Sequence, residues 1–232
     1  MIRKLIGSNR LIEQTKKDAF NLDTILLANF IRVPYHAKTV VDVGTGNGVL
    51  MLYLADKTKA KIIGVEIQAE HAALAEKNII KNALSQRLSV IHNDIKHVTL
   101  KGVDCVVCNP PFFKVNALTK KHVDPAVAMA RHEVALTFEA LVISASQMLK
   151  QGGYFYVIHR PDRISEIIAM LETHQLTVKR MRFVHPYANR DANHVLIAAM
   201  KLGDHGTKLE SPLILYKDKH VYSDELKALM EV

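Results

Sequence analysis

The sequence predicts an α/β fold built on a mostly parallel seven-stranded sheet that ends in an antiparallel hairpin. From Thr39 onward, short β-branched runs alternate with longer amphipathic stretches, the rhythm of consecutive βαβ units around a parallel sheet. Near the end, two strand-like runs face each other across a polar loop, the pattern of an antiparallel pair. The length of 232 residues suits one large domain with modest additions, because a core of that size buries enough surface to fold without staples.

Ahead of the first strand, residues 8–34 hold a helix through Leu26, Leu27, Phe30 and Ile31, which Asp23 or Thr24 would cap and which would lie over a cleft at the sheet edge. Four strands are expected at Thr39 to Val43, Lys61 to Glu66, Leu88 to Asn93 and Val103 to Cys108, each too short and too apolar to be a surface helix. Val49 to Asp56 and Ala69 to Ala83 read as helices, the second with Ala72, Leu74, Ala75, Ile79 and Leu84 near one face. A further helix from Glu133 to Lys150 would end in a left-handed turn at Gly152 and Gly153, and Tyr154 to His159 would be the fifth strand. Thr177 to Val184 and His194 to Lys201 form the hairpin around loop 185–193. Leu213 to Tyr216 suggests a short strand and Ser223 to Met230 a capped helix. The organisation expected is a single domain, with an N-terminal segment 1–37, a core 38–201 and a C-terminal extension 202–232.

Hydrophobic residues make up 49% and charged residues 23%, which excludes the disordered and fibrous classes. Lys and Arg number 31 against 23 Asp and Glu, so the net charge of +8 would attract a polyanion; charge alone does not select one. Cys105 and Cys108 lie three apart in an apolar strand, where they point to opposite faces, so they read as buried core thiols rather than a shared metal site or a redox pair. The 12 histidines are scattered without an HExxH pattern, and no metal is expected. The first residues, MIRKLIGSNRLIEQ, lack an apolar signal core, and no stretch has the apolar length of a membrane span. The expected location is the cytoplasm, with no membrane partner.

The segment Val40-Val41-Asp42-Val43-Gly44-Thr45-Gly46-Asn47-Gly48 runs from a strand through three glycines straight into an apolar helix. Glycines there let a ligand touch backbone, and the carboxyl edge of an open α/β sheet is where ligands bind. The spacing is GxGxG, with Val49 in the register of the third glycine of a dinucleotide fingerprint, and no Gly-Lys-Ser/Thr follows, which removes a triphosphate loop. A bare tight turn would need fewer glycines. Asp42, Gly44, Thr45, Gly46 and Gly48 are therefore candidate cofactor contacts. Glu66, followed by Ile67, ends the second strand, where a carboxylate can accept bonds from vicinal ribose hydroxyls; Asp94 and Ile95 end the third, where a carboxylate suits an adenine amino group.

After the fourth strand comes Asn109-Pro110-Pro111-Phe112. An exocyclic amine conjugated to a purine is a poor nucleophile, so a site that alkylates it must hold the nitrogen in an attacking geometry. The Asn109 side-chain oxygen and the Pro110 carbonyl can accept its two hydrogens, the two prolines stiffen the loop, and Phe112 can stack on the base, a contact worth ~1–3 kcal/mol in nucleic-acid sites. The plain alternative is a proline turn capped by Asn.

DVGTGNG, GVEIQ, NDI and CNPPFF stand here in the order and spacing of class I methyltransferases acting on planar amino nitrogens, and residues 40–159 resemble them as a whole. The resemblance implies a Rossmann-like class I methyltransferase fold, S-adenosyl-L-methionine as cofactor and a catalytic set of Asn109, Pro110, Pro111 and Phe112. Beyond the core, QTKKDAFNLDTILLANF, ARHE and RMRFVHPYANRDANHVLIAAMK are similar to the tRNA1(Val) adenine-N6 methyltransferase family. That resemblance implies RNA, and tRNA in particular, as partner, with adenine at position 37 as the target. It also places Asp23 and Thr24 near the cofactor. The basic run from Lys114 to His122, containing Lys120 and Lys121, and a second stretch of Lys179, Arg180, Arg182 and Arg190 are candidates for phosphate contacts while a base is unstacked, together with Phe113 and Arg131. Three other readings stay open: a ribosomal RNA guanine-N2 methyltransferase, a protein glutamine-amide methyltransferase, and an RNA-binding module on a methyltransferase scaffold.

Overall fold

The computed structural model describes residues 2–14, 22–110 and 137–231. Its elements, in chain order, begin with β1 (Ile2–Lys4), β2 (Leu11–Glu13), α1 (Leu22–Phe30), β3 (Thr39–Val43), α2 (Val49–Lys57), β4 (Lys61–Glu66), α3 (Ala69–Lys81), β5 (Leu88–His92) and β6 (Val103–Cys108). They continue with α4 (Phe138–Met148), β7 (Leu149–His159), α5 (Ile164–Thr173), β8 (Leu176–His185) and β9 (His194–Lys201). The C-terminal extension adds β10 (Lys208–Leu209), β11 (Leu213–Ile214), β12 (Tyr216–Asp218), β13 (Val221–Tyr222) and α6 (Asp224–Met230).

The main sheet runs β5-β4-β3-β6-β7-β9-β8, with β9 antiparallel to both neighbours and the other adjacent pairs parallel. These are the expected strands. The sheet nonetheless counts nine, because the two-residue strands β10 and β11 both pair with β8 in parallel. From β3 the chain winds outward through β4 to β5 and then returns to β6 on the other side. This reversal opens a crevice above the carboxyl ends of β3 and β6, the usual place for a ligand in such sheets.

Alternation along each strand builds two cores. Val40, Cys105, Val107, Tyr156 and Ile158 meet Leu26, Leu27, Met51 and Leu54 of α1 and α2 on one face. Val41, Val106, Cys108, Phe155 and Val157 meet Leu141, Val142, Ile167 and Leu171 of α4 and α5 on the other. The two cysteines thus lie on opposite faces, and burial pushes the Cys105 thiol up to about 12 and the Cys108 thiol well above its ordinary value.

Several elements differ from the sequence expectations. Helix α4 ends at Met148, and the chain enters β7 at Leu149; Gly152, at φ +74°, sits inside that strand, where the register shifts between Val103 and Cys105. The start expected at Glu133 lies outside the described residues. Helix α5 has no counterpart among the expected elements, although Ile167 and Leu171 recur at helical spacing and are fully buried. The β1–β2 hairpin likewise has no counterpart among the expected elements; its backbone is held by side chains of α3 and of its C-cap residue, with Glu13 N–H donating to Asn78 Oδ1 at 2.7 Å and Leu11 N–H to Asn82 Oδ1 at 2.9 Å. The single strand expected at Leu213 to Tyr216 is split between β11 and β12. Helix α1 starts at Leu22, so Asp23 and Thr24 lie in its first turn rather than at its cap.

The stretch Lys179, Arg180 and Arg182 is engaged by the fold. Arg180 is buried, pairs with Glu210 at 3.1 Å, donates to the Phe30 carbonyl and stacks over the Phe30 ring at 3.9 Å. Lys179 donates to the Asp204 carbonyl at 2.9 Å, and Arg182 pairs with Glu225 at 2.6 Å. Arg180 and the Tyr156 hydroxyl, which donates to the Arg32 carbonyl at 2.7 Å, pin the C-terminal end of α1 across the sheet.

Candidate active site

At the carboxyl end of β3 the backbone turns sharply, and Val65 of β4 holds the turn: its carbonyl accepts from the N–H groups of Gly44 at 2.8 Å and Thr45 at 3.2 Å. Gly44 and Gly46 sit in the left-handed region at φ +69° and +56°, and a Cβ on either would meet nothing within 4 Å. They border open space. Gly48, at φ +84°, differs from them, since a Cβ there would lie 3.3 Å from that of Ala75; it lets α2 start against α3.

Two carboxylates brace this loop. Asp42 is 2% exposed and accepts a 2.6 Å bond from the Thr45 hydroxyl. Burial pushes its carboxyl up to about 7; the Thr45 bond opposes the rise and the nearby Glu66 charge adds to it. Glu66, at the end of β4, accepts from the N–H groups of Gly46 and Gln68, both at 2.9 Å, and so bridges the glycine loop to the start of α3. Next to it, Ile67 holds an apolar side chain 38% exposed. One brace is absent from the sequence expectations. Asn78, fully buried on the apolar face of α3, donates to the Asn47 carbonyl in the loop and to the Glu13 carbonyl of β2, both at 2.9 Å. A polar residue between Ala75 and Ile79 was the available signal.

Beyond β5, Asp94 caps a short 3-10 turn by accepting from Lys96 N–H at 2.9 Å, and its carboxylate pairs with the Lys96 ammonium at 3.0 Å. Burial works to raise that carboxyl, but the Lys96 bonds and charge hold it below its usual range. Ile95 is buried beneath.

Strand β6 pairs Cys108 with Val43 of β3, so the residues that follow them, Asn109 and Gly44, leave adjacent strands at the same edge of the sheet. Asn109 donates from Nδ2 to Thr24 Oγ1 of α1 at 3.0 Å, and Pro110, next in the chain, is buried. Asp23, beside Thr24, places Oδ1 3.5 Å from His194 Nε2 at the start of β9. Burial raises the Asp23 carboxyl and lowers the His194 imidazole, each offset in part by attraction to the other. Arg190 is exposed in loop 186–193 at the same edge of the sheet. Pro111, Phe112, Phe113, Lys114, Lys120, Lys121 and Arg131 lie outside the described residues.

The groups converging here are an open glycine cradle, a strand-end carboxylate, an exposed aliphatic side chain and a carboxamide beside a proline. They fit a nucleoside carrying a charged tail: backbone and glycine faces admit the tail, the Glu66 oxygens suit vicinal hydroxyls, and Ile67 suits a flat base.

A family model for the methyltransferase small domain matches residues 16–184. Among solved structures, the chain resembles a predicted O-methyltransferase from Agrobacterium tumefaciens, with a TM-score of 0.70 at 23% identity over 91% of this chain and 98% of that one. It also resembles the geranyl diphosphate C-methyltransferase of Streptomyces coelicolor in complex with S-adenosyl-L-homocysteine, with a TM-score of 0.57 at 14% identity, covering 77% and 76% of the two chains. Fold, cradle and family match together define an S-adenosyl-L-methionine-dependent methyltransferase of class I. The chain is 31% identical over 170 residues to a tRNA1(Val) (adenine(37)-N6)-methyltransferase of Shewanella sp., covering 71% of each, and 30% identical over 213 residues to that of Pedobacter heparinus, covering 91% and 88%. It belongs to the methyltransferase small domain family and, within it, to the tRNA1(Val) (adenine(37)-N6)-methyltransferase family. Among the described residues no helix is long and apolar enough to cross a membrane.

Proposed function

We propose that this methyltransferase acts on the N6 amine of an adenine in RNA, with adenine 37 of tRNA1(Val) as the target. The observation that carries the proposal is that Asn109 follows β6, next to the strand that leads into the glycine loop, with its amide nitrogen bonded to Thr24. When bound, S-adenosyl-L-methionine supplies an electrophilic methyl group on a sulfonium. Gly44, Gly46, Glu66, Ile67, Asp94 and Ile95 are the residues assigned to hold it, with Asp42 and Thr45 bracing the loop and Gly48 seating it against α3.

The protein's own part is to orient the acceptor. An adenine amine has its lone pair drawn into the ring, and two acceptors that hold its hydrogens on the far side of the ring plane favour a pyramidal nitrogen with the pair aimed at the methyl group. Asn109 Oδ1 and the Pro110 carbonyl are the assigned acceptors; Pro110 offers no N–H to compete. Phe112 is assigned base stacking from its place after the prolines. The net charge of +8 suits a polyanionic substrate, and Arg190, exposed on the same edge, is assigned to a phosphate, as are Lys114, Lys120, Lys121 and Arg131 on sequence position. Arg182 is assigned less to RNA than to the fold, given its pairing with Glu225. The names of the relatives support adenine and tRNA over guanine or a protein amide.

Purified protein incubated with labelled S-adenosyl-L-methionine and total RNA tests the proposal after nuclease digestion and mass spectrometry. N6-methyladenosine in the tRNA fraction supports it. N2-methylguanosine alone, or methylation confined to glutamine in added protein, would overturn it.

A further inference from the structure

Asn109 is one of two partners in a contact between residues 85 positions apart, and its counterpart, Thr24, is a residue that the resemblance puts near the cofactor. The geometry points to a different role for Thr24, that of a positioning residue acting on the acceptor amine through the Asn109 carboxamide. This inference rests on the reading of Asn109 as the group that receives the amine's hydrogens.

A carboxamide has two nearly isosteric orientations, and only one presents oxygen to the substrate. The productive orientation turns Nδ2 to the rear, where a wall of alkyl groups would leave two N–H donors with nothing to bind. An unmatched donor in a partly buried place carries a penalty that exceeds the net worth of an ordinary hydrogen bond. Thr24 Oγ1, 3.0 Å from Nδ2, is the acceptor that removes it. The hydroxyl can also donate, so the bond fixes the plane of the carboxamide, and the incoming amine, which offers it only donors, selects the orientation with Oδ1 on the side away from α1. The reversed orientation would set an NH2 against the NH2 of the substrate, donor facing donor.

The hydroxyl serves this purpose only if α1 is fixed in place, and the fold secures both ends of that helix. In its first turn Asp23 lies 3.5 Å from His194, at the start of β9. At its far end Arg180 reaches the Phe30 carbonyl and the Tyr156 hydroxyl reaches the Arg32 carbonyl. Thr24 itself is 7% exposed, so its position is set by packing rather than by solvent. β6, which Asn109 follows, and β9, which begins at His194, flank β7 in the sheet, so the first turn of α1 is tied to the ends of both.

Two variants separate this role from simpler ones. Thr24→Val keeps the shape and removes the acceptor; Thr24→Ser keeps the acceptor and removes a methyl group. Single-turnover rates, KM for RNA, cofactor affinity by calorimetry and melting temperature are measured for both, with whichever amine-bearing substrate the wild-type protein methylates. The expected result is a rate for Thr24→Val about 10 to 100 times slower, the size that an unpaired donor implies. Cofactor affinity and melting temperature should stay close to wild type, and Thr24→Ser should recover most of the rate. A rate for Thr24→Val equal to wild type overturns the inference and leaves the adenine proposal standing. Loss of cofactor affinity in Thr24→Val, with the rate at saturating cofactor restored, also overturns it and makes Thr24 a wall of the cofactor site. A wild-type protein that methylates no amine on any substrate defeats both readings at once.

Discussion

Replacing Gly46 by Ala tests whether the glycine cradle is a ligand surface or only a turn. Gly46 sits at φ +56°, a conformation that costs an L-residue about 1 kcal/mol, and its missing Cβ faces space with no atom within 4 Å. The folded protein should therefore lose only that backbone term, which for a chain of this length lowers the melting temperature by ~2–4 °C. The added methyl group would stand where the cofactor approaches the backbone, and overfilling a fitted site costs ~1–3 kcal/mol, or about 5- to 150-fold in affinity. Gly102 supplies the control. It has φ +72° and an equally open Cβ direction, yet it precedes β6 and so lies at the opposite edge of the sheet. Gly102→Ala should show the same small loss of stability with unchanged binding. Calorimetric titration with S-adenosyl-L-methionine, beside thermal melts, gives both quantities for each variant. Equal affinities for Gly46→Ala and Gly102→Ala would refute the cradle.

Two further outcomes follow from the braces of the loop. The Asp42 carboxyl titrates near 7 in the folded protein against an ordinary value of 3.8, so the folded state holds the proton more tightly; the stability this brings is complete below about pH 4 and is lost as pH rises toward about 7. Asp42→Asn keeps an acceptor for the Thr45 hydroxyl and removes that loss, so at ~1.4 kcal/mol per pH unit the stability of the variant relative to wild type should improve by about 3 kcal/mol between pH 5 and pH 8. Urea unfolding at the two pH values measures it, and a constant difference would show that Asp42 does not carry the raised value. Ile67→Asp should weaken cofactor binding without lowering the melting temperature, because the Ile67 side chain is 38% exposed and contributes little to the core. Unchanged binding in that variant would remove Ile67 from the site.

The central strands could be read from the sequence because a parallel strand buried on both faces is a short apolar run, as in Val103–Cys108, where every residue is buried. The glycine loop, Glu66 and Asn109 could be placed for a related reason: each stands at or just past the end of a strand, so position along the chain fixes position at the sheet edge. What escaped depends on partners far away. The three-residue strands β1 and β2 have no pattern of their own and are held by Asn78 and Asn82, some 65 to 71 positions distant. Lys179, Arg180 and Arg182 look like a solvated basic face until Glu210, Phe30 and Glu225 are brought against them. The bond from Asn109 to Thr24 joins residues that nothing in their local sequence connects.

The most direct test of the central claim is Asn109→Ala, assayed at once for methyl transfer to tRNA and for S-adenosyl-L-methionine affinity. Asn109 follows β6 and is not part of the glycine loop, so transfer should fall to background while the affinity remains within about twofold of wild type. Parallel loss of both, or transfer that persists, would contradict the account.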